Sequence, residues 1–321
     1  MSFIAGVDIG GTKTAVSIAR IDDDEATILT KERFATDENS HKVMEQVVDT
    51  LEALQAAIQP EQVSAIGISC GGPLDSRAGL ILSPPNLPNW DRVDVVSPLA
   101  ERFGVPVLLQ NDANACALAE WQWGAGRGCE NMIFLTFGTG MGAGIILDGK
   151  LYSGTNDMAG EVGHMRLAED GPVGYGKAGS FEGFCSGGGI AQLARSMSEL
   201  ALRTGETPTF YSADEGFESI TAESVGKAAQ AGDPLALQIY RVVGERLGQG
   251  LAVLVDVLNP QRIVIGSIYG RQQTLLEPIM RAVLEKEALP LSLQVCQIVP
   301  AGLGEKVGDY AALSVAMQAL R

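Results

Sequence analysis

Two glycine-rich segments of this chain follow apolar runs and carry the residue types that hold phosphate. The first is Gly6-Val7-Asp8-Ile9-Gly10-Gly11-Thr12-Lys13. It nearly spells a P-loop, with Gly6 and Gly11 correctly separated, but Thr12-Lys13 inverts the Lys-Ser/Thr order. A P-loop opens a helix, whereas residues 14–19 alternate like a strand. Gly10 and Gly11 are therefore expected in a hairpin turn, where glycine allows positive φ and close backbone approach. Exposed N–H groups in such a turn, with Thr12 and Lys13 beside them, can cradle phosphate. Asp8, at the end of the preceding strand, could hold Mg²⁺ through water. An ordinary hairpin with a solvated lysine is the competing explanation.

The second segment is Gly138-Thr139-Gly140-Met141-Gly142-Ala143. Its GxGxxA spacing is also a dinucleotide fingerprint, but that fold needs a helix next, to meet the pyrophosphate. Here residues 143–147 lead into an Asp148-Gly149 turn, which points to another strand. A nicotinamide oxidoreductase is disfavoured on that ground. A hairpin gripping a terminal phosphate, with the Thr139 hydroxyl as donor, is favoured.

Three further sites carry polar chemistry. Asn111-Asp112 lies between a strand and a helix, where either residue could cap the helix. Asp112 could instead accept a proton from a substrate hydroxyl. Glu161 and His164, three residues apart, could be metal ligands, an acid–base pair or hydrogen-bonding groups for a polyhydroxyl ligand. Glu182 could join them or be a surface carboxylate.

The elements that position these residues follow from periodicity. Strands are expected at 3–9, 14–19, 27–34, 63–69, 105–110, 131–137, 143–147 and 262–265. Helices are expected at 40–58, after Asp112 through Trp123, over much of 190–258 and at 310–320. This is an α/β pattern. Strand–glycine turn–strand occurs twice, which suggests two related halves. The glycine-rich segment 154–182 is too long for a passive loop.

Composition narrows the class. The chain has 321 residues and a formal charge of −16, without a long Lys/Arg run, so nucleic acid and anionic membrane are poor partners. Its five cysteines are widely spaced and contain no CxxC pair, which argues against a disulfide framework or a cysteine-rich zinc site. With no basic leader and no apolar run near the ~20 residues that span a bilayer, a cytoplasmic protein is expected.

Seven ordered segments resemble the ROK family of sugar kinases and sugar-responsive repressors, within the actin/hexokinase-like ATPase superfamily. They are Val7-Asp-Ile-Gly-Gly-Thr-Lys13, Gly67-Ile-Ser-Cys-Gly-Gly-Pro73, Asn86-Leu-Pro-Asn-Trp90, Asn111-Asp-Ala-Asn-Ala115, Gly138-Thr-Gly-Met-Gly142, Gly160-Glu-Val-Gly-His164 and Asn259-Pro-Gln-Arg-Ile-Val-Ile-Gly266. The resemblance implies two actin/ribonuclease-H-like α/β domains, each with a mixed sheet, and an interdomain cleft. The expected limits are 1–120 for the smaller domain, with a C-terminal helix at about 305–321 packing back on it, and 121–304 for the larger.

The same resemblance implies ATP against Gly10, Gly11, Thr12, Lys13, Gly138, Thr139, Gly140, Gly142 and Gly266, with Mg²⁺ on its phosphates. It implies a sugar among Gly72, Asn89, Asn111, Asp112, Glu161, His164 and Glu182, with Asp112 as general base. A homodimer is expected by the same analogy. The sugar stays open between glucose, other hexoses and N-acetylhexosamines, and a non-catalytic sugar binder is an alternative. Only six residues precede Val7, so the helix-turn-helix of a repressor is not expected.

Two departures stand out. Zinc-bearing members of the family carry three cysteines after the His164 segment. Gly174, Gly176 and Ser180 stand in their places here, so no zinc is expected. That segment is expected to be held by packing through Tyr175 and Phe181. Where a Gly-Gly pair is usual near adenosine, this chain has Gly266-Ser267.

Overall fold

The structure, a computed structural model, describes residues 2–23 and 25–320. The first unit comprises Met1–Phe134, Gly144–Ala159 and Gly302–Arg321, and the second Leu135–Ala143 and Gly160–Ala301.

The chain opens with strands β1 (Ser2–Ile9), β2 (Lys13–Asp22) and β3 (Glu25–Ala35), followed by helix α1 (Ser40–Ala57) and strand β4 (Val63–Cys70). Short strands β5 (Leu74–Asp75), β6 (Leu80–Leu82) and β7 (Asp91–Asp94) form a small sheet of their own. Helix α2 (Ser97–Phe103), strand β8 (Val107–Asn111) and helix α3 (Asp112–Trp123) follow. The main sheet has the order β3-β2-β1-β4-β8. β1 is antiparallel to β2 and parallel to β4, and β4 is parallel to β8.

Local sequence explains these elements. β1 buries residues 3–7 without a break, as a central strand covered on both faces does. α1 buries Val43, Val47, Leu51 and Leu54 at helical spacing, and the Asn39 side chain caps it by accepting from His41 N. The ladder of β8 begins at Val107, two residues later than expected, because Pro106 has no N–H to give. The C-terminal helix Val307–Gln318 lies on the sheet at two glycines. A Cβ at Gly67 would sit 2.1 Å from Ala312 O, and one at Gly6 3.0 Å from Leu313 N.

Later strands are β9 (Met132–Leu135), β10 (Ala143–Leu147), β11 (Lys150–Leu151), β12 (Val173–Gly174), β13 (Lys177–Ala178), β14 (Arg262–Ile265) and β15 (Gln297–Pro300). Five of them form a sheet in the order β11-β10-β9-β14-β15. Counting only its own strands in chain order, each large sheet thus reads third, second, first, fourth, fifth, as the repeated strand–glycine turn–strand pattern suggested. β10 is a strand, so the second glycine turn does not open a helix and the dinucleotide alternative fails. Helical segments between β13 and β15 include α4 (Phe181–Phe184), α5 (Gly187–Arg203), α6 (Ala222–Gln230), α7 (Pro234–Leu258) and α8 (Ile268–Glu287). Phe181 is fully buried, and its ring packs where a Cβ at Gly250 would stand, 2.5 Å away. Among the described residues no helix is long and apolar enough to cross a membrane.

Candidate active site

In the first unit, parallel register gathers the carboxyl ends of three strands. Asp8 pairs with Ser69, Ile9 with Cys70, and Cys70 with Asn111. Asp112 follows immediately as the first residue of α3. Asn111 is the helix cap, its Oδ1 accepting from Ala113 N at 2.9 Å. Asp112 Oδ1 accepts from the same N–H at 2.8 Å. Asn111 is the cap residue, and the charge of Asp112 acts on the Asp8 carboxyl.

Both carboxyls have a raised proton affinity. Burial, then the like charge of Asp112, push the Asp8 carboxyl up to about 6, against the opposing pull of Lys31 and the Ser69 hydroxyl. Burial also raises Asp112, opposed by the Ala113 backbone and the Asn111 side chain. The Asp112 side chain has solvent access, yet it sits deep among surrounding protein atoms, and that surrounding mass governs its ionisation.

The first glycine turn is pinned from outside. Gly10 N donates to Lys13 O, Thr36 N donates to Thr12 O, and Thr36 Oγ1 donates to Gly10 O at 2.7 Å. A Cβ on Gly11 would lie 2.7 Å from Asn86 O, and one on Gly72 3.1 Å from Asn111 Nδ2. Gly72 thus adjoins the Asn111-Asp112 pair. Asn89 is exposed and donates to Glu38 Oε2 at 3.4 Å. Asn86 adjoins both Gly11 and Gly71, a neighbourhood that sequence reasoning passed over in favour of Asn89. Its place in the Asn86–Trp90 motif was the available signal.

In the second unit, the turn at 138–142 folds on itself. Gly138 N donates to Gly140 O, and Gly142 N to Thr136 Oγ1 at 2.8 Å. Glu182 Oε2 accepts from Met141 N at 2.9 Å and would be 2.7 Å from a Cβ on Gly140. Glu182 therefore braces the phosphate-type turn. A Cβ on Gly163 would meet Met141 O at 2.1 Å, which draws the loop bearing Glu161 and His164 against the same turn. Gly187 N donates to Gly138 O, so the N-terminus of α5 also abuts it, with Ser186 as cap. The Gly187-Gly188-Gly189 run was the missed signal for this contact. Gly266 N bonds Leu135 O, and a Cβ on Gly138 would lie 3.6 Å from Ser267 Oγ.

Two expectations are corrected. Gly10 and Gly11 do not take positive φ; at Gly11 the demand for glycine is the close approach also expected there. Tyr175 does not anchor the cysteine-free segment by packing, for it is 74% exposed. Order there comes from the β12–β13 hairpin and from buried Ser180, whose hydroxyl accepts from Gly183 N at 3.0 Å. Among the described residues no group of three or more His, Cys, Asp and Glu side chains could hold a metal ion.

The sequence pattern described as "ROK family" matches residues 4–319. This chain belongs to the ROK family. ROK relatives include the glucokinase of Streptomyces coelicolor, 29% identical over 99% of this chain and 98% of that protein. A ROK glucokinase from Streptomyces griseus, solved in complex with glucose and AMPPNP, is 31% identical and superposes with a TM-score of 0.74, covering 99% of this chain and 100% of that one. The xylose repressor of Caldicellulosiruptor bescii is 31% identical over 72% of this chain and 57% of its own length. The ROK relatives therefore include both kinases and repressors, while the α/β fold with mixed sheets is the expected actin-like one.

Proposed function

We propose that this ROK protein is an ATP-dependent sugar kinase, with a hexose hydroxyl as acceptor. The observation that carries this is the Asp8–Asp112 pair at the carboxyl ends of β1, β4 and β8. Phosphoryl transfer needs positioning, charge neutralisation and one group to orient the nucleophile. Asp112 is that group, a general base whose raised proton affinity suits it to take the hydroxyl proton. Gly72, Asn89, Asn111, Glu161, His164 and Glu182 are assigned to the sugar, because each hydroxyl both donates and accepts.

ATP and Mg²⁺ fit the residues present. Two crowded carboxylates, one with a proton affinity lifted to about 6, are relieved by a divalent cation. Asp8 would hold that cation through water, and the cation would neutralise charge on the transferred phosphoryl group. Gly10, Gly11, Thr12, Lys13, Gly138, Thr139, Gly140, Gly142 and Gly266 would hold the nucleotide, its phosphates resting mainly on backbone N–H groups. That reliance suits a chain with net charge −16.

Glucose is the first sugar to try, given the glucokinase relatives. Coupled ADP release, measured across hexoses and N-acetylhexosamines, is expected to be sugar-dependent and to vanish when Mg²⁺ is chelated. No sugar-dependent release with any of them would overturn the assignment. The repressor relative supports one alternative, a sugar binder without turnover. That alternative predicts calorimetric sugar binding with no ADP formed.

A further inference from the structure

Tyr175 occupies a position that folding does not explain. The β12–β13 hairpin turns on Tyr175-Gly176, both at positive φ, 44° and 75°. Such a two-residue turn prefers Asn, Asp or Gly at its first position, and a bulky residue there is strained. The ring is 74% exposed. Nor does the hairpin need it for support. Gln192 ties Val173 with two hydrogen bonds of 3.0 Å, accepting from its N–H and donating to its carbonyl. Gly174 fits against Glu182 Cβ and Gly183 N, where a Cβ would lie 2.8 Å and 2.6 Å away.

What the ring does touch is His164. The two rings meet edge to face, with centroids 6.5 Å apart and planes at 75°. From β13 of the hairpin, Lys177 Nζ donates to His164 O at 2.7 Å. The hairpin thus holds His164 from its turn and from β13, and its Gly174 lies against Glu182. His164 and Glu182 are two groups assigned above to the sugar. A strained, exposed aromatic ring against His164 is the kind of local strain that collects at ligand sites.

We propose that Tyr175 is a sugar-binding residue: its ring orients His164 and offers an aromatic face to the C–H side of the pyranose. This rests on the sugar-kinase assignment. The cysteine-free segment would then take up, through an aromatic side chain, the ordering of His164 that a metal site would otherwise supply.

The test uses two variants of the full chain and the sugar that wild type phosphorylates best. Tyr175→Asn places a favoured residue in the turn, so the hairpin and the thermal midpoint are kept. Its KM for sugar is expected to rise about 3- to 10-fold, the range of one aromatic contact, with the KM for ATP unchanged. Tyr175→Phe keeps the ring and is expected to recover most of that affinity. A wild-type sugar KM in Tyr175→Asn overturns the proposal, as does an equal rise in both KM values. Wild type that turns over no sugar overturns the parent assignment, and this one with it. Active wild type with an unaltered Tyr175→Asn removes the role of Tyr175 alone.

Discussion

Asp8 and Asp112 illustrate how a main chain sets side-chain chemistry. Neither carboxyl would depart from its ordinary ionisation on an exposed loop. Parallel register brings both to the carboxyl ends of one sheet, and burial with the like charge of Asp112 raises Asp8 from 3.8 to about 6. The native state therefore binds the Asp8 proton more tightly than the unfolded chain does. The stabilisation this gives is fully present below pH 3.8 and is lost as pH rises through about 6. Asp8→Asn is expected to stabilise the protein at pH 7 and to lose about 1–2 kcal/mol of that advantage at pH 5, by urea unfolding. Mg²⁺ should stabilise wild type at pH 7 more than the variant. An advantage for Asp8→Asn that stays flat with pH would contradict this assignment.

Ser267 is a second residue under local constraint. It joins β14 to α8 at φ 54° and ψ −112°, a region that suits glycine. Its Oγ accepts from Arg271 Nη2 at 2.8 Å, on the surface. Ser267→Gly is expected to stabilise by about 1 kcal/mol, because relief of strain outweighs the lost bond and the greater freedom of the unfolded chain. A lowered thermal midpoint would count against strain at this residue.

At the scale of elements, glycines decide where the pieces can touch. Gly67 is the sharpest case, since an added Cβ would meet Ala312 O at 2.1 Å and Ala316 N at 2.3 Å. All these atoms are backbone, which has no rotamer through which to yield. Gly67→Ala is expected to push the Val307–Gln318 helix off β1 and β4 and to destabilise by at least about 2 kcal/mol. A denaturant midpoint equal to wild type would show that the helix can slide without loss.

The long periodic elements were legible beforehand. α1 ran within one residue of its expected end because its apolar positions repeat over many residues, and β10 and β14 kept their expected limits because each apolar run stops at a turn signal, Asp148-Gly149 or Gly266. The small β5–β7 sheet and the β12–β13 hairpin were not legible. Their strands span two to four residues, too few to show a period. Glycine was visible in both phosphate-type turns, and of the two reasons expected at the first, close approach holds and positive φ does not. Positive φ can be guessed from a turn motif, whereas the approach of Asn86 to Gly11, across 75 residues of sequence, depends on the finished packing. Asn111 and Asp112 show the same limit, since only the structure separates the capping residue from its neighbour at Asp8.

For the whole molecule, the repeated sheet order and the full-length ROK match account for the architecture, and the candidate chemistry occupies a small part of it. A fold shared by kinases and repressors does not itself decide between turnover and binding. Asp112 does. Asp112→Asn keeps an oxygen that can accept from Ala113 N, so α3 should start as before. Steady-state ADP release with the best sugar, alongside calorimetric sugar binding, is the direct measurement. With Asp112 as general base, kcat falls by about 10²–10⁴ while the sugar Kd stays within about threefold. A variant that keeps wild-type kcat, or loses only sugar affinity, would contradict it.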